Sequence, residues 1–270
     1  MIFDTFAETN VNHMKTSAFF LPILLLLPVL LFSQNAAEQK KEDTINKVDA
    51  SNKRFGYWEE KMGDLVIKGN YVDDKRTGNW ITSINTGLLT KLESFENGQR
   101  NGISVSLDRK GHLTKQEYYK NDKLHGLAIT FGQYSEMPQS QINWANGMKN
   151  GSSKTYYDNG KIQEDANFKD GLKDGEARWY NNAGKMLALY SYRNGLFEGI
   201  QKAFYDNDSL QTTSMYSKNI LNGAYKDFYR NGIIKVTGTY LDGNKEGSWV
   251  DYDETGKAVK TTKYKKGIAK

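Results

Sequence analysis

Histidine, cysteine and paired carboxylates are the side chains that most often perform catalysis or bind metals, and this chain has few of them in useful patterns. It contains no cysteine, which excludes disulfides, thiolate metal sites and a lipid-modified cysteine. Beyond residue 34 there are two histidines, His112 and His125, and each adjoins a glycine in a segment predicted to turn. The acids Glu59 and Glu60 have no evident catalytic partner in the sequence. We therefore predict no enzyme activity, no cofactor and no metal site.

One glycine recurs at intervals of 22 to 25 residues and divides most of the chain into units. These framework glycines are Gly56, Gly78, Gly102, Gly126, Gly151, Gly175, Gly199, Gly223 and Gly247. From Gly78 onward an aromatic residue stands seven positions before each of them, and the series continues beyond the last glycine. This aromatic ladder consists of Tyr71, Phe95, Tyr119, Trp144, Phe168, Tyr192, Tyr216, Tyr240 and Tyr264. Units of this length are typical of repeat arrays, in which each unit packs against its neighbours.

Each unit has the pattern of a β-hairpin. In residues 151–175, two runs rich in aromatic and polar residues flank Asn159-Gly160, and Asp170-Gly171 follows the second run. Such dipeptides favour type I′ turns, because glycine and asparagine adopt the positive φ angles that these turns require. Helices are disfavoured, since glycine or asparagine interrupts the pattern about every dozen residues. We predict an all-β fold: an elongated, twisted, single antiparallel sheet of about nine stacked hairpins.

The units resemble MORN repeats, most closely the bacterial variant. The best examples run from Gly151 to Lys173, from Gly223 to Lys245 and from Gly247 to Gly267. The resemblance covers residues 55–267 and extends to YwqK-type repeat proteins that carry the label of antitoxins. It implies hairpins laid side by side in one sheet, and a chain that works by binding a partner.

Two units depart from the regular spacing. The first unit, from Gly56, is two residues short. Unit 126–151 has one extra residue and a non-standard turn at 133–138, where we expect a bulge or a protruding loop.

The N-terminal 54 residues differ from the array in composition. Residues 14–34 contain a basic residue, a short apolar run with two prolines and then small residues, a pattern typical of a secretory signal peptide. Residues 1–13 are predicted to be an extension that precedes the true start. Residues 35–54 are predicted to be a flexible polar linker, and residues 55–270 the MORN-like repeat array. The protein is therefore expected to be exported, to the periplasm, the cell envelope or the medium, with only peripheral membrane contact unless the signal stays uncleaved.

Two functions suit a repeat array without a catalytic set. The first is a non-enzymatic scaffold that binds a protein at the bacterial cell envelope, with an antitoxin-like or immunity role as one form of it. The alternative is binding of anionic membrane lipid or cell-wall glycan by an aromatic and basic sheet face, in a chain of net charge +5. Nucleic acid is not an expected partner, because the aromatic residues keep a structural register. The candidate binding residues, on a face expected to be exposed, are Trp58, Trp80, Trp179 and Trp249.

Overall fold

The computed structural model describes residues 45–132 and 137–270. The predicted start extension, the predicted signal peptide and residues 35–44 of the predicted linker lie outside the described residues, and so do residues 133–136 of the unusual turn. Regular secondary structure in the described ranges consists of strands, so the predicted all-β fold is confirmed. These ranges contain no helix long and apolar enough to cross a membrane.

The described residues form one sheet of 22 strands, numbered here in chain order. The strands are β1 (Lys47–Val48), β2 (Arg54–Met62), β3 (Leu65–Val72), β4 (Lys75–Ile84), β5 (Leu89–Glu96), β6 (Gln99–Leu107), β7 (Leu113–Lys120), β8 (Lys123–Leu124), β9 (Gly126–Phe131), β10 (Pro138–Ala145), β11 (Met148–Tyr156), β12 (Ile162–Lys169), β13 (Leu172–Tyr180), β14 (Met186–Arg193), β15 (Leu196–Phe197), β16 (Gly199–Phe204), β17 (Leu210–Ser217), β18 (Ile220–Phe228), β19 (Ile234–Leu241), β20 (Asn244–Tyr252), β21 (Ala258–Lys265) and β22 (Ile268–Ala269).

The strands pair in the order in which they follow along the chain, and each of these pairs is antiparallel. β8 and β9 are two parts of one interrupted strand that pairs with β7. β15 and β16 have the same relation to β14. The predicted single sheet of consecutive hairpins is therefore confirmed.

Two kinds of turn alternate along the sheet. The turn that ends a unit has positive φ at both central residues, as at Asp170 (49°) and Gly171 (85°), and is the predicted type I′ turn. In the turn inside a unit, at Asn159-Gly160, the glycine has φ 77° and asparagine does not have a positive φ. The N–H of Gly160 donates to the carbonyl of Tyr157. The prediction of type I′ is wrong at this place, where a type I turn is followed by a left-handed glycine.

The first unit is shorter because its inner turn is shorter. Met62 and Leu65 pair directly across a two-residue turn, in which Gly63 has φ 62°. At equal distances from the framework glycine, Glu60 pairs with Ile67 across six residues, whereas Thr155 of a regular unit pairs with Glu164 across eight. The two missing residues are thus taken from a loop, and the pairing of glycine with the ladder is unchanged.

Each framework glycine pairs directly with a ladder aromatic on the following strand, and all nine pairs are formed. Gly175, for example, pairs with Tyr192. On its other side the same glycine belongs to a bulge, in which the three residues around Gly175 oppose the single residue Asn167 of β12. The nine glycines have φ between 67° and 121°. This backbone region strongly disfavours side chains, which explains the glycine at every repeat.

The sheet is a single layer, and its core lies on the face that carries the ladder, here called the ladder face. Ten of the twelve buried residues other than glycine lie there, including Tyr71, Trp80 and Trp249. The other two, Ile129 and Phe131, lie on the opposite face. The predicted single layer is confirmed; of the nine ladder residues, Tyr71 and Tyr119 are buried and the other seven are half-buried.

The prediction of a flexible linker is wrong at its C-terminal end. β1 pairs with the beginning of β2. Next to it, the amide of Asn46 exchanges two hydrogen bonds with the backbone of Glu59, at 3.0 and 2.8 Å. The side chain thereby substitutes for a neighbouring strand and covers backbone groups at this sheet edge, which opposes edge-to-edge association. A two-residue strand in polar sequence has too little apolar pattern to be recognised from composition.

Candidate functional site

Six basic residues on the ladder face pack near aromatic rings, and sequence analysis did not single them out. They stand two positions before framework glycines and are Arg54, Arg76, Arg100, Lys149, Lys173 and Lys245. The Cζ atom of Arg100 lies 3.9 Å from the ring centroid of Tyr119, and that of Arg54 lies 4.0 Å from that of Tyr71. The contacts are diagonal, because each of these rings pairs directly with the framework glycine two positions after the basic residue, as Tyr119 does with Gly102. The recurrence of basic residues at this one position was the overlooked signal.

Carboxylates complete this arrangement at its N-terminal end. Glu60 accepts a hydrogen bond of 3.3 Å from the hydroxyl of Tyr71 and lies 3.5 Å from Nη1 of Arg54. Glu117 accepts a 3.2 Å hydrogen bond from the hydroxyl of Tyr119. Burial raises the pKa of Tyr119, and the charge of Glu117 raises it further. These rings already have cations against their faces and acids at their hydroxyl groups, so they offer little free surface to a stacking sugar.

Two glycines explain where the tryptophans lie. Gly69 pairs directly with Trp58 and also packs against Trp80. A Cβ atom on Gly69 would stand 2.3 Å from Cδ2 of Trp80, and one on Gly238 would stand 2.2 Å from Cδ2 of Trp249. The indole rings therefore rest on backbone that only glycine leaves open.

The exposed recognition face predicted for the tryptophans is wrong for Trp80 and Trp249, which are 2% and 4% exposed. Trp58 and Trp179 are half-buried, and all four lie on the ladder face. Trp80 and Trp249 are buried because the small glycine eleven positions before each of them, on the preceding strand, leaves room for the indole ring. This paired spacing was readable in the sequence and was missed. A role of any of the four in binding stays a prediction.

The two histidines have different surroundings. His112 closes a turn, where its Nδ1 atom lies 2.9 Å from Oδ2 of Asp108, and Oδ1 of Asp108 accepts the N–H groups of Lys110 and His112. His125 lies between β8 and β9, so the turn predicted for it is wrong; its N–H donates to the carbonyl of Tyr118. Across residues 45–132 and 137–270, no group of three or more histidine or carboxylate side chains is placed to hold a metal ion.

The turn at Asp108 is expected to respond to acid. The hydrogen bond with His112 lowers the pKa of Asp108 from 3.8 to about 2, and backbone N–H groups contribute in the same direction. Because the folded pKa is the lower one, the carboxylate's contribution to stability is complete above about pH 4 and is lost as the pH falls towards 2. In carbon NMR titration, His112→Ala should raise the pKa of Asp108. Asp253, which caps a similar turn through Thr255, should keep its pKa in the same variant. An unchanged pKa at Asp108 would refute the assigned cause.

The opposite face carries an exposed apolar row beside the type I′ turns. The apolar row consists of Met148, Leu172, Leu196 and Ile220, one from each of four consecutive units. These side chains are 46%, 51%, 40% and 49% exposed. The pair Phe168–Lys173 belongs to the ladder face, so the adjacent pair, Lys169 with Leu172, belongs to the opposite face. Exposed apolar side chains that recur at one place in consecutive units suit an interaction surface, and Lys169 and Arg193 stand directly across from Leu172 and Leu196 on the intervening strands.

A basic row crosses the same face, parallel to the apolar row. The basic row consists of Lys154, Arg178, Lys202 and Lys226, each three positions after a framework glycine. Direct pairs connect it across the strands: Leu189 pairs with Arg178 and Lys202, and Thr213 pairs with Lys202 and Lys226. The corresponding residues of the N-terminal units are Glu59, Ile81, Val105 and Ile129, and Leu92 pairs with both Ile81 and Val105 from the strand between them.

A shallow cavity of about 380 Å³ lies at the C-terminal end of the basic row. Its lining includes the aliphatic or aromatic side chains of Ile200, Leu210, Met215 and Phe228, together with Lys202 and Lys226. The cavity thus combines an apolar floor with positive charge. Neither row is evident in the sequence, because four basic residues 24 positions apart form no local cluster.

Comparison with known proteins identifies part of the array. The family described as MORN repeat variant matches residues 149–170, 173–194 and 221–242. Each match begins two positions before a framework glycine and ends at the type I′ turn, so the family's unit coincides with the structural unit. No curated protein matches the chain. The predicted MORN resemblance is confirmed in these three segments, which supports a repeat scaffold; the YwqK-type resemblance stays a prediction.

Proposed function

We propose that this chain is a non-enzymatic scaffold that acts at the bacterial cell envelope and binds a protein through the face opposite the ladder. The observation that carries the proposal is the apolar row, whose four side chains are each at least 40% exposed in consecutive units. A partner with an apolar strip beside acidic groups fits it, because the basic row runs parallel to the apolar row. Export rests on the signal-like composition of residues 14–34.

An antitoxin-like or immunity role is one form of this proposal, since neutralising a toxin is also binding of a protein. The alternative is binding of anionic membrane lipid or cell-wall glycan by the aromatic and basic face. The cations and acids that already cover several ladder rings weigh against stacking of sugars there. The protein-binding form is therefore preferred.

The proposal is tested with the full chain as bait in a crosslinking experiment on envelope extract, read by mass spectrometry. The wild-type chain should enrich one dominant protein, and Leu172→Ser with Leu196→Ser should lose it, because both substitutions place hydroxyl groups in the apolar row. Val72→Ser with Val259→Ser is the matched control, since these side chains are 59% and 61% exposed and lie outside the row. Equal enrichment by all three chains, or recovery of lipid or glycan without a protein, would reject the proposal.

A further inference from the structure

The distance between consecutive residues of the basic row restricts which secondary structure of a partner can contact all of them. Its members occupy alternate strands, and neighbouring strands are about 4.8 Å apart, so consecutive basic residues stand about 10 Å apart. All four side chains point to the same face. A partner that meets every member must therefore present negative charge at about this interval along one side.

An extended peptide does not have this interval. Its side chains on one side are about 6.7 Å apart, and residues separated by about 10 Å point to opposite sides. An α-helix does, because seven residues rise about 10.5 Å and complete nearly two turns. Because neighbouring strands turn by about 20–25°, a straight helix meets two or three consecutive members most closely, and the long basic side chains cover part of the remaining distance.

The charge of the row is partly free for a partner. Lys154 lies 3.6 Å from Asp165, and Arg178 pairs with Glu176. The side chains of Lys202 and Lys226 form no ion pair or hydrogen bond with other residues of the described ranges. Beside these two lysines, the cavity of about 380 Å³ offers apolar lining to a partner's aliphatic side chain.

We infer that the occupant of this face is an amphipathic α-helix of the partner protein that lies across the strands. The helix has an acidic residue at about every seventh position, to meet the basic row, and aliphatic residues between them to fill the cavity. This inference rests on the proposed function, because it specifies the partner element that the scaffold binds.

The test uses two synthetic helical peptides of about 28 residues and equal composition. One has glutamate at every seventh position with leucine on the adjacent stripe; the other has the same glutamates at every fifth position. Fluorescence anisotropy with the full chain at low salt should show binding of the first peptide and at least roughly tenfold weaker binding of the second.

Charge-reversal variants locate the interaction. Lys202→Glu with Lys226→Glu should weaken binding of the first peptide by at least roughly tenfold, whereas Lys47→Glu with Lys265→Glu, an equal charge change far from the row, should leave it nearly unchanged. Lys226→Glu alone, at an exposed position, should act in the same direction if the double variant is poorly folded. Equal binding of both peptides, equal effects of both charge reversals, or no binding of the first peptide would overturn the inference. The crosslinking experiment is separate, so a partner captured through the apolar row would uphold the proposed function even then.

Discussion

Replacing Gly238 by alanine is expected to destabilise the sheet by about 3 kcal/mol. The added Cβ would stand 2.2 Å from Cδ2 and 2.3 Å from Cε2 of Trp249, which is far inside van der Waals contact. The indole cannot move away easily, since its Nε1 donates to the carbonyl of Thr239 at 3.2 Å and its ring packs edge-on against Tyr240 at 5.0 Å. Chemical denaturation of the full chain, with hydrogen exchange at β19 and β20, measures the loss.

A double-substitution cycle distinguishes this clash from a general weakness of the region. Trp249→Ala alone should cost about 3–5 kcal/mol through the cavity it leaves. Gly238→Ala combined with Trp249→Ala should cost about 1–3 kcal/mol less than the sum of the two single changes. The pair of alanines would then match Ala166 and Ala177, which stand at the same positions of another unit and are each 1% exposed. Additive costs would show that glycine and tryptophan do not constrain each other.

The second large effect is expected at the framework glycines, and it should vary with their backbone angles. Gly102 has φ 113°, and a Cβ there would stand 2.9 Å from Cβ of Ser94. Gly56 has φ 70°, within the left-handed region, and a Cβ there would meet nothing within 4 Å. Gly102→Ala should therefore cost about 3 kcal/mol, and Gly56→Ala about 1 kcal/mol, in the free energy of unfolding.

The comparison between these two glycines carries its own control, because both belong to the same column of the repeat. Denaturant midpoints of Gly102→Ala and Gly56→Ala, measured beside the unchanged chain, give the two costs. Two equally small costs would mean that the bulge tolerates a side chain, and the glycine column would then need an explanation other than backbone geometry.

Much of the fold could be predicted because every unit has the same turns and bulges, and these require the same residue types at the same positions. Positive φ at a turn or bulge admits few residue types, so Gly171 and Gly175 return in unit after unit and set the register. The pairing of Gly175 with Tyr192 follows from the one inner turn between them, whose length is the same in most units. Two features could not be predicted. The inner turn at Gly160 has a dipeptide that is also typical of type I′ turns but forms a different turn type. Strand β1 is too short to show a residue pattern.

The candidate site could be predicted much less well. The residue identities of the basic row are plain in the sequence, but only strand pairing brings Lys202 and Lys226 to either side of Thr213. Trp80 and Trp249 were misplaced because exposure depends on the volume of the residue across the strand, and not on the aromatic residue itself.

Chain composition and spacing therefore settle the class of fold, the length of the unit, the ladder and the positions of its turns, since these depend on backbone angles and on local alternation. The choice of which side chains become buried, and which rows of charge and apolar surface form on each face, required the folded sheet. How deeply a side chain is buried, and which charges lie near it, depend on the residues next to it on neighbouring strands, as Gly238 lies beside Trp249. Strand register determines these neighbours, and not their distance along the chain.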